Sequence, residues 1–502
     1  MGRQSVDVCG PAIAMAERKS GMSYIKKSLG LSFATQYAEM AIQFVGIMFL
    51  ARLITPEEAG TYSVAAFLTA VLHVFRDFGV GKYIIQVEEL TPGRVRSAYG
   101  VTIVLAFAIA LVLLACAPLV AGFYGEPSMA DILLVMSGSF AVTPLGSLLG
   151  NIFRRDMEFK KIMVVRVSSS ICHVITAVTL GMHDYGALSL AWANFAGTLS
   201  YGLVAMALRS KGTPALPSFR NMREILSFGS VSSVGNIAGV LGTNGPDVII
   251  GKVISLAASG YFSRANGMIQ MFRTLVQGAI VPLVLPYFAQ LRRDKGDVTG
   301  SYHMAIAHLT VFAWPFFAVI ALLALPIVRM LYGVQWDASV PVVQVLCLAG
   351  AIGTLATFAG DVMIAYGQVG QATATQVLTQ PVRLGAILVA SPFGLVMVAA
   401  ALVLAECYTV VVTSRSLYAS TGVGLGGVLR ATVKSGIVTV FSAAGPAIVV
   451  LASMHGKHSW MELTVGGCAA LIGWVVGIVW TGHPAKSHLY QAHKWMIVRV
   501  RG

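Results

Sequence analysis

Between residues 30 and 481 the chain is a succession of fourteen apolar stretches, at about 30–53, 59–80, 98–121, 129–150, 162–181, 186–208, 225–249, 259–286, 303–326, 340–365, 372–390, 394–414, 431–453 and 462–481. A helix that crosses the hydrocarbon core of a bilayer needs about 20 apolar residues, and these stretches have that length. Lipid offers no partner to a backbone N–H or C=O, so each stretch has to close its hydrogen bonds internally as a helix. A soluble fold does not fit. Soluble domains carry about 25% charged residues, whereas this chain carries 11% and has a mean hydropathy of +0.77. Gly245-Pro246, Pro282 and Gly360-Asp361 interrupt the seventh, eighth and tenth stretches.

Cytoplasmic flanks of membrane helices collect Lys and Arg. With the N-terminus inside, 26 of the 35 Lys and Arg fall on cytoplasmic segments, among them Lys26, Lys27, Arg94, Arg96, Arg154, Arg155, Arg292, Arg293 and Arg430. Only Arg52, Lys252, Arg329 and Lys457 fall on the other side. An even number of spans with both ends inside satisfies this asymmetry. The net charge of +14 therefore reports topology and not nucleic-acid binding, which needs a soluble basic face. Residues 1–22 hold no apolar core with a small-residue cleavage site, so no cleavable signal peptide is expected.

The chain is internally duplicated. ARLITPEEAGTYSVA at 51–65 returns as GKVISLAASGYFSRA at 251–265, with Ile54, Gly60, Ser63 and Ala65 unchanged as Ile254, Gly260, Ser263 and Ala265. PLVAGFYG at 118–125 returns in the same order as PIVRMLYG at 326–333. A duplicated membrane bundle with its site near the repeat interface is a transporter architecture. The resulting layout is a cytoplasmic segment 1–27, an N-lobe 28–208, a linker 209–223, a C-lobe 224–415, two further helices over 416–481 and a basic cytoplasmic tail 482–502.

Polar residues that recur every three or four positions mark a helix face turned away from lipid. The first span carries Ser32, Gln36, Glu39 and Gln43; the second His73, Arg76 and Asp77; the seventh Ser232, Asn236 and Thr243; the eighth Asn266, Gln270, Arg273 and Gln277. The same shift of two hundred places Gln36 on Asn236, Gln43 on Thr243, His73 on Arg273 and Asp77 on Gln277. The four stripes are expected to face one hydrated cavity. Arg76, Arg264 and Arg273, with Arg52 and Lys252 at the ends of the first and seventh spans, make it lean cationic. The guanidinium fork suits phosphate oxygens, and an Asn/Gln face suits sugar hydroxyls. Arg264 and Arg273 are nine residues apart and point to opposite sides of a straight helix. Glu39, Asp77 and Asp247 are candidates for coupling to a proton or sodium gradient, with a charge pair inside the bundle as the competing reading. Arg166 and Arg383 are candidates for pairing with an acid or snorkelling to an interface.

No Walker motif is present, and GxGxxG at Gly422, Gly424 and Gly427 follows no strand and reads as a loop. Six scattered cysteines have no metal or redox spacing, so neither a metal nor another cofactor is expected. Gly473 and Gly477 form a small-xxx-small pair suited to close helix packing within the chain.

ARLITPEEAGTYSVA, then FRDFGVGKYIIQ at 75–86, resembles the polysaccharide transporter (Wzx-like) branch of the multidrug/oligosaccharidyl-lipid/polysaccharide flippase superfamily. The resemblance implies an all-α polytopic membrane protein of two pseudo-symmetric six-helix lobes plus two C-terminal helices. It implies a central cavity lined by the first, second, seventh and eighth helices. It implies a flippase of the bacterial inner membrane, and not an enzyme, that moves an undecaprenyl-pyrophosphate-linked oligosaccharide for exopolysaccharide, capsule or lipopolysaccharide synthesis. Polymerase, ligase and chain-length proteins of the same pathway would be its partners; the sequence does not fix the oligomeric state, and a monomer is the favoured reading. Arg76, Arg264 and Arg273 would supply the family's cavity cations. The alternatives are an ion-coupled multidrug antiporter on the same fold and a membrane enzyme of glycan assembly.

Overall fold

The computed structural model describes residues 10–76, 80–210, 217–219, 239–274, 278–452 and 459–487. Among these, every regular element is helical. Side chains such as Leu111, Leu119 and Trp480 stand more than two-thirds exposed along their helices. That would be a liability in water and is the expected surface in lipid.

Nine helices among the described residues are long and apolar enough to cross a membrane, and a tenth span arises if one bent pair counts as a single crossing. Four further helices, at residues 187–207, 239–253, 256–272 and 369–390, fall on the other expected spans but do not meet that test among the described residues; residues 225–238 of the seventh expected span lie outside them.

Contacts divide the chain into two units, residues 1–53 with 72–233 and residues 54–71 with 234–502. Residues 54–71 thus pack with the second unit, although the sequence layout assigns them to the N-lobe.

The first unit contains α1 (Gly10–Leu53), the last turn of α2 (Pro56–Arg76), α3 (Val80–Gln86), α4 (Pro92–Tyr124), α5 (Ser128–Val142), α6 (Pro144–Arg155), α7 (Phe159–Gly181) and α8 (Ala187–Ala207). Thr91 caps α4 by accepting from the Arg94 N–H, and Pro92 takes the first turn, where no donor is needed. Gly125, in the left-handed region at φ 73°, ends it. Pro144 lacks the N–H that would continue α5, and the chain bends by 50° into α6. The seven-residue α3 cannot stand alone. Tyr83 and Ile84 sink into a core with Val95, Leu148, Phe153 and Val165. Arg155 then grips the end of α3, its Nη1 donating to the Ile84 and Val87 carbonyls at 2.6 Å and Nη2 to that of Glu88 at 3.0 Å.

The second unit contains the first part of α2, a helix α9 over 239–253, and α10 (Leu256–Phe272), α11 (Gly278–Arg293), α12 (Val298–Leu322), α13 (Ala324–Leu331), α14 (Val340–Gly353), α15 (Ala359–Ala365), α16 (Val369–Ala390), α17 (Leu395–Thr421), α18 (Leu425–Ala452) and α19 (Ser459–Thr481). Here the duplicated segment meets itself. Thr55 and Glu58 cap α2 reciprocally: the Thr55 N–H donates to Glu58 Oε2 at 2.7 Å, and the Glu58 N–H to Thr55 Oγ1 at 3.3 Å. Ser255 caps α10 by accepting from the Ala258 N–H. The two helices then cross at Gly60 and Gly260. A Cβ on Gly60 would overlap the Leu256 carbonyl oxygen, and one on Gly260 would overlap that of Pro56. One turn on, Ser63 and Ser263 hydrogen-bond to each other at 3.0 Å. The recurring residues are therefore a cap, a crossing point and a polar pair.

In the eighth expected span the α-helical geometry of α10 ends at Phe272 and passes into π-type geometry at Arg273 and Thr274; α11 is described from Gly278, and residues 275–277 lie outside the described residues. In the tenth, a 3-10 turn at Thr354–Ala356 lies between α14 and α15. Gly473 and Gly477 seat α19 on Phe441, Ser442 and Val438 of α18, the close packing within the chain that their spacing indicates. Gly422 of the GxGxxG run is the left-handed end of α17, φ 78°, and Gly427 already lies in α18.

Candidate functional site

In the first unit, Glu39 of α1 and Arg166 of α7 form an ion pair at 2.5 Å, with Glu39 largely buried. Gln36, one turn before, is half-buried and Gln43 exposed. His73 packs its ring against Phe140, centroids 4.5 Å apart. Its Nδ1 is buried without a hydrogen-bond partner among the described residues. Arg76 is half-buried, within electrostatic reach of His73. Arg52 is exposed at the end of α1. Asp77 lies outside the described residues.

In the second unit, the stripe on α10 gathers as its spacing requires. Asn266, Gln270 and Arg273 share one face and line a cavity of about 40 Å³ with Thr354, Arg383 and Glu406. Arg383 of α16 donates to Glu406 of α17, Nη1 to Oε1 at 2.6 Å. Both helices fold back at Gly394. Arg383 and Glu406 stand nearly equidistant from that turn, so the antiparallel hairpin brings them level. Arg273 is in the electrostatic field of both. The cavity thus holds two guanidiniums and one carboxylate, with two carboxamides beside them.

Arg264 does not join this group. Its guanidinium lies over the Trp336 ring, 5.4 Å from the centroid, near Tyr62 and Tyr332. This is the opposite-side placement that nine residues of separation imply. Its Nε is buried without a partner among the described residues. Asp247 is buried in α9, its backbone carbonyl accepting from Ser259 Oγ at 3.0 Å, and its Oδ1 has no partner among the described residues. Lys252 is exposed at the end of α9. Asn236 and Gln277 lie outside the described residues. Arg383 and Glu406 are the site residues that helix periodicity alone overlooks. Opposite charges placed symmetrically about the turn at Gly394 are the signal that finds them.

Residues 49–341 match the model of a family described as polysaccharide biosynthesis protein. Among curated relatives, the lipopolysaccharide biosynthesis protein WzxC of Escherichia coli (strain K12) is 20% identical over 334 residues, covering 66% of this chain and 68% of that protein. The succinoglycan biosynthesis transport protein ExoT of Rhizobium meliloti (strain 1021) is 25% identical over 340 residues, covering 66% and 67%. Among solved structures, the lipid II flippase MurJ in an inward closed conformation shares the fold at a TM-score of 0.73 and 13% identity, covering 89% of this chain and 98% of that one. An inward-facing multidrug resistance MATE family transporter of the MOP superfamily follows at 0.63 and 10%, covering 76% and 96%. The family match runs from the last turns of α1 to the start of α14, more than half of the sequence, and the chain belongs to the polysaccharide biosynthesis protein family.

Proposed function

We propose that this protein is a flippase that translocates an undecaprenyl-pyrophosphate-linked oligosaccharide repeat unit across the bacterial inner membrane, for exopolysaccharide, capsule or lipopolysaccharide synthesis. The observation that carries this reading is a family match extending through both copies of the duplicated segment, on a fold shared with a lipid II flippase. Relatives whose names denote lipopolysaccharide biosynthesis and succinoglycan transport point the same way.

The physical task is to carry a charged, hydroxylated headgroup past hydrocarbon. An unpaired ion entering a medium of low dielectric costs on the order of tens of kcal/mol. Guanidinium and carboxamide groups inside a helical bundle replace water along the way, while the prenyl tail stays in lipid. Arg76 in the first unit and the Asn266, Gln270 and Arg273 face in the second are the side chains suited to this. Exposure of the path to one side of the membrane at a time completes the cycle. Both termini face the cytoplasm on this reading, and glycan assembly, polymerisation and ligation belong to partner enzymes. Coupling to a proton or sodium gradient would fall to Glu39, Asp77 or Asp247. Glu39 is held by Arg166, which leaves the buried Asp247 as the stronger candidate of the two described acids.

Purified protein in liposomes, supplied with a fluorescent lipid-linked oligosaccharide on one leaflet, tests the reading. Protein-dependent appearance of the headgroup on the opposite leaflet is expected. Transfer no faster than in protein-free liposomes refutes it.

A further inference from the structure

We propose that Glu406 is a built-in anion that occupies Arg383 in the α10/α14/α16/α17 cavity until an anionic group of the cargo takes its place. The proposal rests on the flippase reading and adds a binding subsite to it.

The cavity of about 40 Å³ admits about three water-sized groups, the size of a phosphate's terminal oxygens and far below that of a sugar chain. Its charges do not balance internally: Arg273 and Arg383 face one carboxylate, Glu406. The Arg383–Glu406 contact is a single Nη1–Oε1 hydrogen bond, and the buried Arg383 Nε has no partner among the described residues. A guanidinium has five donors in a fork built for two parallel bonds, so Arg383 is held with donors to spare. Two departures from α-helical geometry fall at this point, the π-type geometry at Arg273 and the 3-10 turn that begins at Thr354. Such departures within helices gather at functional sites. Asn266 and Gln270 add amide donors from the same face of α10. Thr354 is spoken for, its hydroxyl donating to the Ala351 carbonyl at 2.6 Å and accepting from the Trp314 indole at 3.1 Å. The arrangement is therefore that of an anion site whose resting occupant is covalently attached. Release of the cargo is assisted when Glu406 returns to Arg383, so the site does not trap what it binds.

The anion has two sources in a lipid-linked glycan, the pyrophosphate of the carrier and an acidic sugar. The test measures binding of inorganic pyrophosphate and of glucuronate to the purified full-length protein, with a melting curve for each variant. Glu406→Gln removes the competing charge and is expected to tighten at least one anion about tenfold. The gain vanishes in the double variant Arg383→Gln, Glu406→Gln, because it acts through Arg383. Arg273→Ala weakens the same anion. Tightening of pyrophosphate assigns the carrier phosphates, and tightening of glucuronate alone assigns the sugar. If Glu406→Gln fails to fold, Glu406→Asp, which withdraws the carboxylate by one methylene, decides with a smaller gain of the same sign. A Glu406 variant that melts like the native protein and binds both anions no more tightly overturns the proposal. Failure of the native protein to flip lipid-linked oligosaccharide overturns the flippase reading instead, and leaves the anion titrations to judge the site.

Discussion

Replacing Gly60 by Ala inserts one methyl at the crossing of α2 and α10. That methyl overlaps the Leu256 carbonyl oxygen and lies 2.9 Å from the Gly260 backbone nitrogen. Both obstacles are backbone, so no rotamer change relieves them. Normal carbon contacts need about 3.5 Å, and the helices have to part by about 1 Å or more. Overpacking of this kind costs about 1–3 kcal/mol, and with backbone as the obstacle the upper end applies. Separation also stretches the 3.0 Å Ser63–Ser263 hydrogen bond, worth about 0.6 kcal/mol between membrane helices. The expected loss is about 3 kcal/mol for Gly60→Ala. Because the crossing is reciprocal, Gly260→Ala, which overlaps the Pro56 carbonyl, should cost nearly the same. Thermal unfolding of the purified protein measures the stability term. Oxidative cross-linking of Ser63→Cys with Ser263→Cys reports the crossing itself, since the hydroxyls already touch. The paired cysteines should cross-link readily in the native background and poorly with Gly60→Ala. Unchanged melting and unchanged cross-linking in both glycine variants would refute the crossing as described.

Arg166→Ala leaves Glu39 largely buried and unpaired, and breaking such a pair costs up to about 3–5 kcal/mol, less here because Arg166 is more than a third exposed; membrane-inserted protein should fall, and the exchange Arg166→Glu with Glu39→Arg should recover it. His483 follows α19, buried, with Nδ1 accepting from the Ala485 N–H and Nε2 bonded to Ser435 Oγ. Burial, then the nearby His308 and Lys434, push its pKa down to about 4. A depressed value contributes stability that is present above the unfolded pKa of about 6.5 and is lost as pH falls through about 4, here up to about 3 kcal/mol. Melting curves from pH 7 to pH 4 should show this loss, and His483→Gln should flatten it. Arg329 and Asp337 share a forked pair on the exposed surface, Nη2 to Oδ2 at 2.7 Å; Asp337→Ala should cost less than about 1 kcal/mol, a difference that added salt erases in the same melting assay.

Much of this was legible in the sequence because membrane helices obey few rules. Asn266, Gln270 and Arg273 share a face because a helix repeats every 3.6 residues, and nothing in the fold disturbs α10 before Arg273. The partition of Arg264 from Arg273 follows from the same period. A charge pair is among the readings for both Glu39 and Arg166, but that they pair with each other was not legible, since the pair joins helices separated by more than a hundred residues of chain and no local spacing encodes that. Helix breaks were only half legible. Pro144 bends its helix, yet Pro118, Pro315 and Pro446 lie inside continuous ones. The turn at Arg273 has no proline to announce it. A lost backbone hydrogen bond can be tolerated or exploited according to what packs beside it, and that is a tertiary matter.

The meeting of Gly60 with Gly260 and of Ser63 with Ser263 also bears on how such a chain can change over time. After a gene doubles and fuses, its halves are free to diverge wherever each residue answers to different neighbours. Where a residue touches its own duplicate, that freedom ends, because a bulkier side chain on either copy collides with the other and a second, matching change cannot make room. Self-facing positions should therefore be the last trace of ancestry to fade, and a faint internal echo in a transporter sequence is a guide to where its two copies still touch.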